Sequence, residues 1–313
     1  MAPPVPAQAR AVLDRLAALK PTAAEPSSDR IWLADFRAQT AALAGLSEPP
    51  DETIHVRHIA LPDGLLLRLF EPTRRRPGVL LHMRGGGGIA GTLDGHDAAL
   101  RGLAAATERV VVAPDYRLAP DAPFPAQLDD GLAALRWLQD QSAARPWVTV
   151  AEPVFVSGDS IGGALAAALA QTATTAFLKL SGQVLLYPNT DLRADATWSS
   201  RRSHDGKIIA LNDLERQIRL YLGATSRDDP RASPFLAPSL EGGVPALVVT
   251  CGLDPLCDEG TAYALRLRDA GVATSIDHYP GALHGVLQMS GWTDQTATLL
   301  SRLRVWLDRQ TAG

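Results

Sequence analysis

The stretch Val154–Ala164 limits what this chain can fold into more than any other part of its sequence. Apolar and small residues typical of a buried strand lead to Gly158, and an alanine-rich helical pattern begins at Gly163. Between them, the turn residues place Ser160 in a strained backbone conformation with an exposed hydroxyl, and the flanking glycines let strand and helix approach closely. This pattern is typical of a nucleophilic serine; the alternative is a buried serine in a glycine-rich turn.

Composition narrows the classes of protein. A length of 313 residues is enough for one large or two small globular domains. The hydrophobic fraction of 46% and the charged fraction of 20% are ordinary for a globular protein. A formal net charge of −4 argues against a nucleic-acid partner, which requires a basic surface. Without a secretion signal or a long apolar run, we expect a cytoplasmic protein and no membrane partner. Cys251 and Cys257 have no second Cys/His pair nearby, so we expect free thiols and no metal site.

Short apolar runs alternate with helical patterns along most of the chain. Two segments around a Pro-Asp-Gly turn predict an antiparallel hairpin, and later apolar runs predict strands buried on both faces of a parallel sheet. The predicted strands are Ile54–Ala60, Gly64–Glu71, Gly78–His82, Val110–Pro114, Val154–Ser157, Gly182–Tyr187, Ala246–Cys251 and Thr274–Tyr279. The main predicted helices are Asp97–Thr107, Leu128–Asp140, Thr261–Ala270 and Trp292–Arg309. We predict an α/β fold with a mostly parallel, doubly wound sheet.

Residues 1–50 and 191–231 depart from this alternation. The first segment has two helical patterns ahead of the first strand, which either pack on the sheet or form a cap. The second contains a polar loop and an amphipathic helix, Leu211–Leu222. We interpret it as an insertion at the carboxyl end of the sheet.

A nucleophilic serine needs a base, and the base needs an orienting carboxylate. In a sheet of this type both should follow the serine, in the order acid then histidine, just after later strands. Asp254 and His284 meet this requirement. Asp258 is the rival acid, but we expect it to cap the helix that begins near Thr261.

A glycine run, Gly85–Gly88, follows the predicted strand Gly78–His82. Backbone N–H groups without side-chain crowding are suited to an oxyanion, which forms during acyl transfer. The alternatives are a flexible loop and a phosphate cradle, although the spacing fits nucleotide-binding motifs poorly.

Several separated motifs together resemble one known family. They are Gly158-Asp-Ser-Ile-Gly-Gly163, Asp115-Tyr-Arg-Leu-Ala-Pro-Asp121, the acid loop Asp254–Glu259 and the pair His284-Gly285. Over roughly residues 54–290, the chain is similar to the hormone-sensitive-lipase-like branch of the α/β-hydrolase superfamily, which contains many microbial carboxylesterases.

The resemblance implies an α/β-hydrolase fold and a serine hydrolase that cleaves carboxylic esters of short to medium acyl chain without a cofactor. Ser160 would be the nucleophile, His284 the general base and Asp254 its orienting group. The oxyanion donors would be the N–H groups of Gly86, Gly87 and Ile161.

The same resemblance implies a division into domains. Residues 1–50 and 191–231 would form a helical cap, and residues 51–190 and 232–313 the catalytic domain. We expect a monomer or a homodimer acting on a small-molecule ester. Two alternatives stay open: a non-catalytic small-molecule binder on this fold, and an amidase or deacetylase of a specialised metabolite.

The chain departs from the family pattern in the glycine run. Arg84 stands where the family has histidine, and Gly88 stands where it has an aromatic residue. We predict that both positions contact substrate. Arg84 has two interpretations, namely selection of a substrate that carries an anion, or a structural ion pair with a nearby acid. Ile161 replaces the usual alanine after the nucleophile.

Overall fold

The computed structural model describes residues 5–18, 28–140, 152–176 and 178–311. Its strands are β1 (His55–Ala60), β2 (Leu66–Glu71), β3 (Val79–Met83), β4 (Val110–Pro114), β5 (Val154–Asp159), β6 (Gly182–Leu186), β7 (Ala246–Leu253) and β8 (Thr274–Leu283). They form one eight-stranded sheet in the order β1-β2-β4-β3-β5-β6-β7-β8. The pairs β1/β2 and β2/β4 are antiparallel and the other neighbours are parallel. The predicted mostly parallel α/β sheet is confirmed.

Helices cover both faces of this sheet. They are α1 (Ala7–Ala17), α2 (Asp29–Ala42), α3 (Asp97–Thr107), α4 (Ala126–Gln139), α5 (Ile161–Thr175), α6 (Ser199–Ser203), α7 (Leu211–Leu222), α8 (Cys257–Asp269) and α9 (Asp294–Thr311). Buried side chains of α4, α5 and α8 share one hydrophobic cluster, and those of α3 and α9 share another. In β3, Leu81 joins the first cluster and neighbouring Leu80 the second, as expected for a strand buried on both faces. None of the helices in the described ranges is long and apolar enough for a bilayer crossing.

Two predicted boundaries differ from the structure by four residues, and the others by at most two. Helix α8 begins at Cys257 rather than Thr261, so Asp258 lies inside its first turn and is not its cap. Strand β8 continues to Leu283 rather than ending at Tyr279, and it pairs with β7 across an irregularity between Cys251 and Leu253. Because an aspartate in the first turn also favours a helix, composition alone does not fix where the helix begins.

The segments that depart from the α/β alternation pack against each other. The Trp32 indole N–H of α2 donates to Asp213 of α7 at 2.9 Å. Hydrogen bonds from Arg219 and Arg216 of α7 lower the pKa of Asp29, the first residue of α2, to about 2. Helices α2 and α7 therefore contact each other through polar groups, although they are distant in sequence.

Both cysteines carry free thiols, as predicted. Cys251 is buried in β7, and Cys257 begins α8. Burial raises the pKa of the Cys257 thiol to about 11, so the unreactive thiol form dominates at neutral pH.

Candidate functional site

Ser160 lies at the sharp turn between β5 and α5. Its φ of 58° and ψ of −124° form a sparsely populated backbone conformation. The flanking glycines are required by space: a Cβ at Gly158 would lie 2.1 Å from the Gly162 carbonyl oxygen, and a Cβ at Gly162 would lie 2.0 Å from that of Met83. The structure thus places the Ser160 hydroxyl at the carboxyl end of the sheet, as the sequence predicts.

The structure brings Ser160, His284 and Asp254 together in one hydrogen-bonded chain. Asp254 follows β7 directly, and His284 follows β8. The His284 Nδ1–H donates to Asp254 Oδ2 at 2.8 Å, and the Ser160 hydroxyl donates to His284 Nε2 at 2.9 Å. Asp254 is fully buried and His284 is 7% exposed, so solvent competes little for these bonds. This is the arrangement by which a histidine activates a serine.

Asp258, the rival acid, is used elsewhere. Its Oδ2 accepts a hydrogen bond from the Ser200 backbone N–H at 2.8 Å, which ties α6 to α8. Glu259 beside it is fully buried and accepts hydrogen bonds from Arg201 and Asn189. The first turn of α8 therefore holds the segment after β6 in place.

The glycine loop after β3 supplies free backbone donors beside the serine. Gly86 and Gly87 have φ values of 113° and 64°, which favour glycine, and both line the cavity that contains Ser160. Their N–H groups donate to no acceptor in the part of the chain that the structure describes. The Ile161 N–H belongs to the first turn of α5, where helices leave N–H groups without an intrahelical acceptor. The three predicted oxyanion donors thus lie on the two segments that surround Ser160.

Asp159 joins the elbow to the glycine loop. It accepts hydrogen bonds from the Gly85 N–H at 2.8 Å and from His82 Nε2 at 3.2 Å, while His82 Nδ1 contacts the Ser157 hydroxyl at 3.0 Å. Burial is the largest single effect and opposes ionisation of Asp159, but the hydrogen bonds from His82 and Gly85 and the charges of His82 and His96 together outweigh it, so the pKa of this carboxyl is lowered. Sequence reasoning missed this cluster because His82 and Ser157 are distant in sequence. They become neighbours only through the register of the parallel strands β3 and β5.

Tyr187 is a second group that sequence reasoning missed. It directly follows β6, has a φ of 38° and is 1% exposed. Its ring meets the His284 ring edge to face, with centroids 4.9 Å apart, and its hydroxyl accepts a hydrogen bond from the Leu287 N–H. Tyr187 therefore supports the imidazole from the side.

A cavity of about 450 Å³ contains Ser160 and His284 in its wall. Most of the remaining wall comes from the glycine loop and from α1, α2 and the segment 205–217. The described residues contain no group of three or more His, Cys, Asp or Glu side chains that could hold a metal ion. The cavity can therefore place a small molecule against an activated serine with backbone donors beside it.

Residues 80–288 match a family model described as alpha/beta hydrolase fold. The chain belongs to the α/β hydrolases, in their hormone-sensitive-lipase-like branch. It is 37% identical over 263 residues to an ethyl acetate hydrolase of Pseudomonas putida, and the match covers 81% of each chain. It is 38% identical over 242 residues to a carboxylic ester hydrolase of Mycobacterium tuberculosis, covering 74% of this chain and 64% of the relative.

Solved structures agree with this assignment. An ester hydrolase from the metagenome of Lake Arreo, solved with a bipyridine phosphonate derivative, superposes on this hydrolase with a TM-score of 0.87 at 30% identity. The superposition covers 99% of this chain and 100% of that one. The predicted α/β-hydrolase fold and family are thereby confirmed.

Arg84 does not lie in the cavity wall, contrary to the prediction that it contacts substrate. It is 1% exposed, and its guanidinium donates to the carbonyl oxygens of Pro114 and Tyr116 at 3.1 and 3.3 Å. It also stacks on the Tyr116 ring at 3.9 Å and lies 3.5 Å from the half-exposed Asp115 carboxylate. Arg84 therefore joins the end of β3 to the loop after β4, which agrees with the structural interpretation.

Gly88 is also outside the cavity wall. A Cβ at this position would lie 2.2 Å from the ring of Tyr221 on α7, and the φ of 70° favours glycine. Tyr221 thus occupies the space that a side chain at position 88 would need. A single sequence carries no signal for this contact, because position 221 is far from the glycine run.

Proposed function

We propose that this hydrolase cleaves carboxylic esters of short to medium acyl chain through an acyl-enzyme. The supporting observation is the continuous hydrogen-bonded chain from buried Asp254 through His284 to Ser160 at the wall of a cavity. The ester specificity is carried over from relatives named as ethyl acetate hydrolase and carboxylic ester hydrolase.

In the proposed mechanism, Ser160 attacks the ester carbonyl carbon while His284 takes its proton. Asp254 holds the imidazole in the required tautomer and stabilises its charged form. The N–H groups of Gly86, Gly87 and Ile161 bind the oxyanion of the tetrahedral intermediate. His284 then gives the proton to the leaving alcohol, and water, activated by the same histidine, releases the acid from the acyl-enzyme.

The alternatives are not favoured. A non-catalytic binder has no use for an intact triad, and here all three members are hydrogen-bonded to each other. An amidase or deacetylase shares the same chemistry, but the relatives above are named as ester hydrolases.

We also propose the predicted domain division, with residues 1–50 and 191–231 as a cap over the catalytic domain formed by 51–190 and 232–313. It is supported by the contribution of α1, α2 and the segment 205–217 to the cavity wall. We further propose a cytoplasmic monomer or homodimer. Light scattering of the purified protein tests the oligomeric state, and a larger assembly contradicts it.

The function is tested with nitrophenyl esters of increasing acyl length, the matching anilides and an aryl phosphonate. We expect turnover of the short esters, slower turnover of anilides and stoichiometric inactivation by the phosphonate, with the adduct on Ser160 located by mass spectrometry. Ester turnover no faster than in enzyme-free buffer, or an adduct on another residue, contradicts the proposal.

Replacing Arg84 by methionine tests its structural role. The change leaves two buried carbonyl groups without their donor, so we expect the free energy of unfolding to fall by about 1–3 kcal/mol. Because Arg84 is outside the cavity wall, the activity ratio between carboxylate-bearing and neutral esters should stay the same. Urea unfolding and the ratio are compared with Arg74→Met, an exposed control. A changed ratio with unchanged stability restores the substrate interpretation.

A further inference from the structure

Helix α7 lies against the glycine loop through two side chains of one helical face. Gln217 and Tyr221 are four residues apart, so they neighbour each other along the helix. A Cβ at Gly87 would lie 2.6 Å from Gln217 Oε1, and one at Gly88 would lie 2.2 Å from the Tyr221 ring. The glycine loop and α7 are therefore in close contact at Gly87 and Gly88.

The carboxamide of Gln217 has no hydrogen-bond partner in the part of the chain that the structure describes. The residue is 8% exposed, and it belongs to the cavity wall together with Ser160 and Gly87. Its side chain forms no hydrogen bond with any described residue, although neighbouring polar side chains such as Asp213 do. A mostly buried amide that faces a cavity is available to form a hydrogen bond with a ligand bound there.

We propose that Gln217 contacts the reacting ester and donates a hydrogen bond from Nε2 to the oxyanion that forms at Gly86 and Gly87. The proposal rests on the proposed ester hydrolysis at Ser160. Rotation about the terminal torsion exchanges Oε1 and Nε2, and this torsion is soft, so the amide nitrogen reaches the position at which Oε1 now lies. Gln217 is then a catalytic residue that lies on α7, whereas the other catalytic side chains directly follow strands of the sheet.

Tyr221 keeps this donor in position. It is 1% exposed, its ring packs on Phe124 with centroids 5.5 Å apart, and its carbonyl accepts a hydrogen bond from the Phe124 N–H at 2.9 Å. These contacts fix α7 one turn beyond Gln217. Once the amide has turned, a donor on a fixed helix needs little further reorganisation when the charge develops, which favours oxyanion stabilisation.

The test compares Gln217→Leu and Gln217→Glu with Asn212→Leu, a matched loss of an amide on α7 at an exposed position outside the cavity wall. Steady-state kinetics on a short nitrophenyl ester give kcat and KM, and thermal unfolding checks the fold. Gln217→Leu should lower kcat by about 10- to 100-fold with little change in KM. Gln217→Glu keeps the shape but adds negative charge, so its kcat should fall at least as far. Asn212→Leu should match the wild type.

Two results overturn the role of Gln217: wild-type kcat in both Gln217 variants, or a change confined to KM. A purely structural role predicts that the similarly shaped Glu variant retains kcat, which also overturns it. Parallel measurement of Ser160→Ala separates the two proposals. If wild-type turnover does not depend on Ser160, ester hydrolysis at this site and the role of Gln217 both fail. If it does and the Gln217 variants are normal, only the role of Gln217 fails.

Discussion

Replacing Ser160 by alanine is expected to lower kcat on a short nitrophenyl ester by about 10⁵-fold or more, with a small change in KM. The Ser160 hydroxyl donates to His284 Nε2 at 2.9 Å, and alanine leaves no nucleophile at that point. Any residual rate comes from substrate binding and the oxyanion donors. The measurement is steady-state kinetics on the purified variant.

Ser157→Ala is the control for this prediction. Ser157 lies in β5, three residues before Ser160, but its hydroxyl contacts His82 rather than His284. We expect this variant to keep kcat within several-fold of the wild type, since its hydroxyl is not in the triad chain. Equal losses in the two variants, or a Ser160→Ala enzyme of near normal rate, contradict the assignment of the nucleophile.

Gly162→Ala is expected to prevent stable folding, lowering the free energy of unfolding by about 4 kcal/mol or more. The added Cβ would lie 2.0 Å from the Met83 carbonyl oxygen and 2.6 Å from that of Arg84. Both are backbone atoms at the end of β3, so the start of α5 must move away from the sheet. A native domain has only about 5–15 kcal/mol of stability to lose. Urea unfolding, or the yield of folded protein, measures the effect.

Gly102→Ala provides the matched control. Gly102 lies within α3, and a Cβ there would have no atom within 4 Å. Alanine favours a helix over glycine by about 1 kcal/mol, so this variant should be as stable as the wild type or more stable. If the two glycine variants unfold at the same urea concentration, the crowding argument for Gly162 is wrong.

Most of the fold could be predicted from local pattern. Strand β4 and helices α3 and α7 have the predicted limits, and the other strands of the parallel part differ by a few residues. A strand buried on both faces needs a continuous apolar run, and a helix buried on one face needs apolar residues at helical spacing. Both patterns can be read directly from the sequence. The exceptions are the start of α8 and the end of β8, where neighbouring segments rather than local sequence set the limit.

The candidate site also has a part that the sequence predicts and a part that it does not. Ser160, Asp254 and His284 could be found because each follows a strand, and parallel strands bring their carboxyl ends to one edge of the sheet. Arg84 and Gly88 were expected to contact substrate because they replace the family's histidine and aromatic residue, but neither belongs to the cavity wall. Successive residues of a loop face different surroundings, and Arg84 turns toward Tyr116 while Tyr221 covers Gly88.

The sequence by itself determined the sheet, the family and the order of Ser160, Asp254 and His284 along the chain, since these depend on periodicity and on spacing. Only the tertiary structure decided which side chains surround the glycine loop. Helix α7 is distant from that loop in sequence, so no local pattern predicts that Gln217 and Tyr221 pack on Gly87 and Gly88. The elbow at Ser160 could be predicted from its neighbours, whereas the wall opposite it is formed by long-range packing.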